Sequence, residues 1–130
     1  MKKRLHHVGI VMNELERAEK FMEVFGLTEA CREYVPEYNA LCIFTDMEGT
    51  SIELIVPDGG VLREYNNGKG GIHHIAFSTE NVEKTRELFE SRELHMLEKN
   101  AVKGAGNIKV NFLRPRYGCG VLAEFVETTE

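Results

Sequence analysis

The sequence predicts an α+β fold in which two tandem βαβββ modules, about 4–60 and 70–128, join into one curved eight-stranded mixed sheet around a central cavity. Two observations predict it. Residues 6–27, HHVGIVMNELERAEKFMEVFGL, align without a gap on residues 73–94, HHIAFSTENVEKTRELFESREL, so one supersecondary unit is used twice. In each copy an alternating β-rich stretch gives way to an apolar period of three to four residues, and then to further short alternating segments.

Leu5 to Val11 alternates and reads as the first strand. Asn13 is placed to cap a helix whose apolar positions Leu15, Ala18, Met22 and Phe25 recur at helical spacing, and Gly26 stops it. Leu27 to Tyr34, Ala40 to Asp46 and Ser51 to Val56 read as three strands, separated by a turn at Pro36 and by the MEGT segment at 47–50. The NNGKGG stretch at 66–71 is expected to be an irregular join that neither packs nor holds a regular conformation. In the second copy Gly71 to Ser78 is a strand. Asn81 or Glu80 then opens a helix with Val82, Thr85, Leu88 and Phe89 inward. Strands follow near His95 to Lys99, Ile108 to Leu113 and Val121 to Val126.

Composition excludes several function classes. At 130 residues and 42% hydrophobic content the chain is long enough for a single core, read as one domain over 1–130. A net charge of −5 argues against a nucleic-acid surface. MKKRLHHVGIVM is basic, but its apolar stretch is too short and too interrupted for a signal peptide, and no run approaches a membrane span. Three cysteines, Cys31, Cys42 and Cys119, lack CxxC spacing and suit a reducing compartment, so the cytoplasm is expected.

Strand alternation selects within each His-His pair. His7 shares a face with Gly9 and Val11, and His74 with Ala76 and Ser78, whereas His6 and His73 fall on the faces of the large apolar residues. The small neighbours of His7 and His74 leave room for a ligand. His6 and His73 read as packing residues or as supports for the ligating histidines, and His95, unmatched in the first copy, as a surface or packing residue. Each copy also ends in an apolar strand with one glutamate, Glu53 in SIELIVP and Glu124 in GVLAEFV. A carboxylate in such a strand is costly to bury unless it is paired or metal-bound. Two imidazoles and two carboxylates on one concave surface make an N/O donor set for one divalent transition ion such as Co, Ni, Zn or Mn.

These motifs resemble the vicinal oxygen chelate superfamily, which includes glyoxalase I, methylmalonyl-CoA epimerases, extradiol dioxygenases and bleomycin-resistance proteins. HHVGI at 6–10, SIELIVP at 51–57, GGIHHIAF at 70–77 and GVLAEF at 120–125 are most similar to the epimerases. The resemblance implies metal ligands at His7, Glu53, His74 and Glu124, a coenzyme A thioester as small-molecule partner, and a homodimer. The implied reaction is epimerisation, with Glu124 removing a proton beside the thioester carbonyl and Glu53 as ligand and partner acid. Where some epimerases carry an additional candidate base, the strand ALCIFTD offers no interior carboxylate, so proton transfer falls to the ligating glutamates. RPRYGCGVLAE at 114–124 replaces the HPK-containing stretch common in epimerases, which leaves the substrate open. Glyoxalase I usually has an arginine in the first strand, where this chain has the apolar GIV of 9–11. Two other readings stay open, a glyoxalase-type lyase and a non-catalytic small-molecule binding protein. Lys103, Lys109, Arg114 and Arg116, beside the glycines of KGAGN and YGCG, are candidate contacts for the coenzyme A phosphates; solvated loop charges are the alternative.

Overall fold

The computed structural model describes residues 3–129. Eight strands form one sheet: β1 (Leu5–Val11), β2 (Thr28–Val35), β3 (Ala40–Asp46), β4 (Ser51–Pro57), β5 (Gly71–Ser78), β6 (Val102–Lys103), β7 (Ile108–Leu113) and β8 (Ala123–Thr128). Their spatial order is β2-β3-β4-β1-β5-β8-β7-β6. Each half therefore contributes four adjacent strands, and the halves meet at the antiparallel β1–β5 pair. β1 runs parallel to β4, and β5 parallel to β8, so the halves are related by a pseudo-two-fold axis between β1 and β5.

The helices cover the outer face. In α1 (Leu15–Phe25), Ala18 and Met22 bury against Ile43 of β3 and Leu54 of β4. Gly26 ends this helix in the left-handed conformation that glycine adopts without steric penalty. Asn13 is not its cap: Glu14 occupies that position, and the Asn13 side chain donates instead to the Gly68 carbonyl. Phe25, the last helical residue, is 63% exposed and packs on Phe21, with ring centroids 4.8 Å apart. In α3 (Val82–Ser91), Val82 and Phe89 pack on Phe125 of β8, and the Asn81 side chain caps the helix by accepting from Lys84 N–H. Leu88, expected inward, is 60% exposed. At about 100° per residue it lies roughly 120° around the helix from Val82, whereas Phe89 returns to the same side.

Two further expectations are corrected. The segment around His95 to Lys99 makes a single bridge, Met96 to Leu113, and the strand pairing with β7 is Val102–Lys103 instead. The Glu98 carboxylate takes the Phe112 N–H (2.8 Å) that a continuing ladder would have given to a backbone carbonyl. The NNGKGG join is an ordered turn that follows the short helix α2 (Gly60–Arg63). Its Gly68, Lys69 and Gly70 N–H groups donate to backbone carbonyls within 64–66, and Asn66 donates to Gly70 O. Gly70 has φ +75° and packs so closely on the Val11 carbonyl that a Cβ would not fit.

The inner face carries the other core. Val35, Cys42, Phe44, Ile55, Ala76 and Val110 pack beneath a cavity of about 370 Å³. The sheet curls far enough for its outermost strands, β2 and β6, to touch. Glu33 of β2 accepts from Lys103 Nζ of β6 (2.6 Å) and from Gly106 N–H (2.9 Å). Among the described residues no helix is long and apolar enough to cross a membrane.

Candidate metal centre

Four buried side chains from four adjacent strands converge on the inner face: His7 from β1, Glu53 from β4, His74 from β5 and Glu124 from β8. Their placement follows from register. Glu53, Gly9 and His74 lie in one row across β4, β1 and β5, while His7, Ala76 and Glu124 lie in the symmetric row across β1, β5 and β8. Each imidazole thus has a small residue beside it on the neighbouring strand. A Cβ on Gly9 would collide with the His74 ring, so the space that small residues leave on this face is filled by the imidazole itself. Phe44, paired with Glu53, meets His7 edge-on, and Phe112, paired with Glu124, meets His74 in the same way, both at 5.0 Å between centroids.

The converging atoms are close enough to share one ion. His7 Nε2 lies 3.1 Å from His74 Nε2, 3.2 Å from Glu53 Oε1 and 2.8 Å from Glu124 Oε1; His74 Nε2 lies 3.6 and 3.2 Å from the same oxygens. Neighbouring ligands at ~2.1 Å from a metal are separated by ~3.0 to 3.4 Å, which brackets most of these contacts. Glu124 Oε1 is buried, and its approach to the imidazoles is not aligned as a hydrogen bond, so it has no such partner. An orphaned carboxylate oxygen facing two imidazole nitrogens in an N₂O₂ set fits a divalent transition ion.

Charge within the cluster is mutually stabilised. Burial opposes ionisation of His7 and His74, but the carboxylates of Glu124 and Glu53 outweigh it, raising His7 to about 9 and His74 to about 8. Burial likewise opposes the Glu53 carboxylate, and the two imidazoles overcome it, lowering Glu53 to about 2; Glu124 moves down for the same reason. His73 shifts the other way, to about 4, through burial and the neighbouring His74. Cys42, which lines the cavity, has its thiol pushed far up by burial and then by Glu53, so it stays protonated.

Simple alternation misplaced His6 and His73. β1 advances from Leu5 to His7 while β5 advances only from Phe77 to Ala76, and β5 advances from Ile72 to His74 while β1 advances only from Ile10 to Gly9. His6 and His73 are the extra residues of two β-bulges, which turn them toward the ligating rings. His6 Nδ1 lies 2.7 Å from His7 Nδ1, and His73 Nδ1 lies 2.9 Å from His74 Nδ1.

The four basic candidates are not gathered in one place. Lys103 precedes Gly104 of the cavity lining and pairs with Glu33, while Lys109 lies 4.0 Å from Glu127. Arg114 precedes, and Arg116 lies within, the turn Pro115–Tyr117 beyond the opposite end of β7, where Arg116 stacks over Tyr117. His95 is an exposed partner of Glu90. One polar group of the cavity escaped the sequence reading: Tyr38 donates to Glu98 (2.6 Å), which also accepts from Asn111 Nδ2 (2.8 Å). No local signal joins residues so far apart in the chain, since a long-range contact made by an irregular segment leaves no periodicity to read.

The family model described as the Glyoxalase/Bleomycin resistance protein/Dioxygenase superfamily matches residues 6–112. An ethylmalonyl-CoA/methylmalonyl-CoA epimerase of Cereibacter sphaeroides is 31% identical over 93% of this chain and 95% of its own length. The mitochondrial methylmalonyl-CoA epimerase of Mus musculus is 30% identical over 93% of this chain and 71% of its own. In fold, the chain superposes on the methylmalonyl-CoA epimerase of Mycobacterium tuberculosis with a TM-score of 0.87 at 23% identity, covering 98% of this chain and 89% of that one. With an N₂O₂ centre drawn equally from two like halves, this chain belongs to the Glyoxalase/Bleomycin resistance protein/Dioxygenase superfamily and is similar within it to the methylmalonyl-CoA epimerases.

Proposed function

We propose that this protein is a metal-dependent isomerase that epimerises malonyl-type coenzyme A thioesters, with methylmalonyl-CoA as its substrate. The observation that carries the reading is the placement of Glu53 and Glu124. Both line the same cavity, they come from opposite halves, and they flank the two imidazoles across the pseudo-two-fold axis. Epimerisation needs a proton acceptor on one face of a planar carbanion and a donor on the other. A divalent ion held by His7, Glu53, His74 and Glu124 supplies Lewis-acid stabilisation of the negative charge that develops on the thioester oxygen.

Glu124 takes the proton from the carbon between the two carbonyl groups through its second carboxylate oxygen, since Oε1 is turned to the imidazoles of the ligand set. The electron pair of the broken C–H bond delocalises into the thioester. Reprotonation occurs on the opposite face, the side of Glu53, the partner acid of the pair: it is a carboxylate in the resting centre and first gains a proton from solvent, and in the reverse direction the two glutamates exchange roles. The largely apolar cavity wall, with Ile55, Leu62, Val110 and Phe112, excludes water and raises the strength of each charge interaction. Lys103, next to Gly104 of that wall, is the first of the basic residues assigned to the phosphates of coenzyme A, ahead of Lys109, Arg114 and Arg116. The cytoplasm fits the free cysteines Cys31, Cys42 and Cys119, and a homodimer fits the family resemblance, to be checked by light scattering.

Metal-loaded protein incubated with methylmalonyl-CoA in D₂O should place deuterium at the substrate carbon. Glu124→Gln keeps a ligating oxygen but cannot take the proton, so exchange should fall by ~10²- to 10⁴-fold while metal content is retained. Wild-type rates in that variant would remove Glu124 from the reaction. Absence of exchange in the loaded wild type, with turnover of a glutathione hemithioacetal instead, would make it a lyase.

A further inference from the structure

The two His-His pairs have a use that the four-ligand centre does not consume. In each half the residue before the ligating histidine is itself a histidine, and in each half the β1–β5 ladder skips it. A strand without the bulge would send His6 and His73 to the outer face, away from His7 and His74. With the bulge, each pair meets edge-on, with centroids 5.0 and 5.1 Å apart and the Nδ1 atoms at 2.7 and 2.9 Å. Such distances require that one nitrogen of each pair carry a proton and the other a lone pair.

The direction follows from the centre. His7 and His74 turn their Nε2 atoms toward each other and toward the carboxylates, so a metal ion is met by Nε2 lone pairs. A neutral imidazole that offers Nε2 as a lone pair carries its proton on Nδ1. Nδ1–H of each ligand therefore donates to the bulged histidine, whose own proton sits on Nε2. We propose that His6 and His73 are positioning residues that fix the tautomer and ring plane of His7 and His74, one per half, and thereby set the metal affinity of the centre. This rests on the metal-centre reading above.

His6 is the cleaner probe, because it lies outside the lining of the substrate cavity, in a smaller pocket with Arg4, Ser51 and Ser78, whereas His73 lines the cavity beside Tyr65. The experiment compares His6→Asn, whose side-chain oxygen can accept in place of Nδ1, with His6→Leu, which cannot. Chelator competition with Co²⁺ should give a dissociation constant within about threefold of wild type for His6→Asn and ~10- to 100-fold weaker for His6→Leu. The visible cobalt spectrum should change in His6→Leu and be restored in His6→Asn. Equal affinity and an unchanged spectrum in His6→Leu would overturn the proposal. Thermal melts of the stripped variants identify loss of fold. Long-range ¹H–¹⁵N spectra of the whole wild-type chain decide the assignment without metal. Bare Nδ1 and protonated Nε2 on His6 and His73 are expected, and Nδ1–H on either overturns the assignment for that pair. If wild type takes up no Co²⁺, the proposed function fails on its own, while the tautomer spectra still answer for the histidine pairs.

Discussion

Gly9 and Ala76 determine where the two imidazoles lie, because each occupies the strand position beside the opposite half's ligand. Gly9→Ala should displace the His74 ring and weaken zinc binding at least tenfold by chelator competition, although the φ of Gly9 is one that alanine adopts. The ionisation of the centre predicts how stripped protein responds to pH. His7 and His74 are raised from 6.5 to about 9 and about 8, so their contribution is complete below 6.5 and lost as pH rises through the higher values. Glu53 is lowered from 4.5 to about 2, so its contribution is present above 4.5 and lost as pH falls toward 2. Melting temperature of the chelator-treated chain should peak between about 4.5 and 6.5, and this window should flatten in a Glu53→Gln, Glu124→Gln double variant. The choice of His7 and His74 over their neighbours was legible because apolar residues on the other side of each strand declare the covered face. The contacts of His6 and His73 were not, since a bulge adds a residue without changing the composition of the strand.

Among the elements, α3 depends on its cap. Asn81→Ala removes the acceptor for Lys84 N–H and should cost about 1 kcal/mol in urea denaturation. Gly70→Ala should cost more than that, because it combines a left-handed φ with a collision on the Val11 backbone, which cannot move aside as a flexible side chain can. Boundaries of β1, β3, β5 and β7 were readable from short β-rich runs set off by turn residues. The segment before β6 was not, because Glu98 breaks the ladder through its side chain, and hydropathy does not distinguish a glutamate facing water from one facing a backbone N–H. The ordered join at 66–71 escaped for a related reason: its conformation is held by backbone hydrogen bonds and by the approach of Gly70 to β1, neither of which leaves an apolar pattern.

For the whole molecule, the sheet was legible from the repeat, since two like units sharing a pseudo-axis leave few ways to join their strands. Closure of its edges was not. Lys103→Met should lower the melting temperature only slightly at low salt, and the difference should vanish at high salt, because the Glu33–Lys103 pair is solvent-exposed. The two rows across the β1–β5 seam have a consequence for how this molecule changes over time. Each half holds the vacant space that the other half's imidazole needs, Gly9 for His74 and Ala76 for His7, so neither half can drift independently. Substitutions at these positions and at the histidines they accommodate should be strongly non-additive, and the two copies, although free to diverge elsewhere, stay bound to each other as lock and counterpart at this one seam.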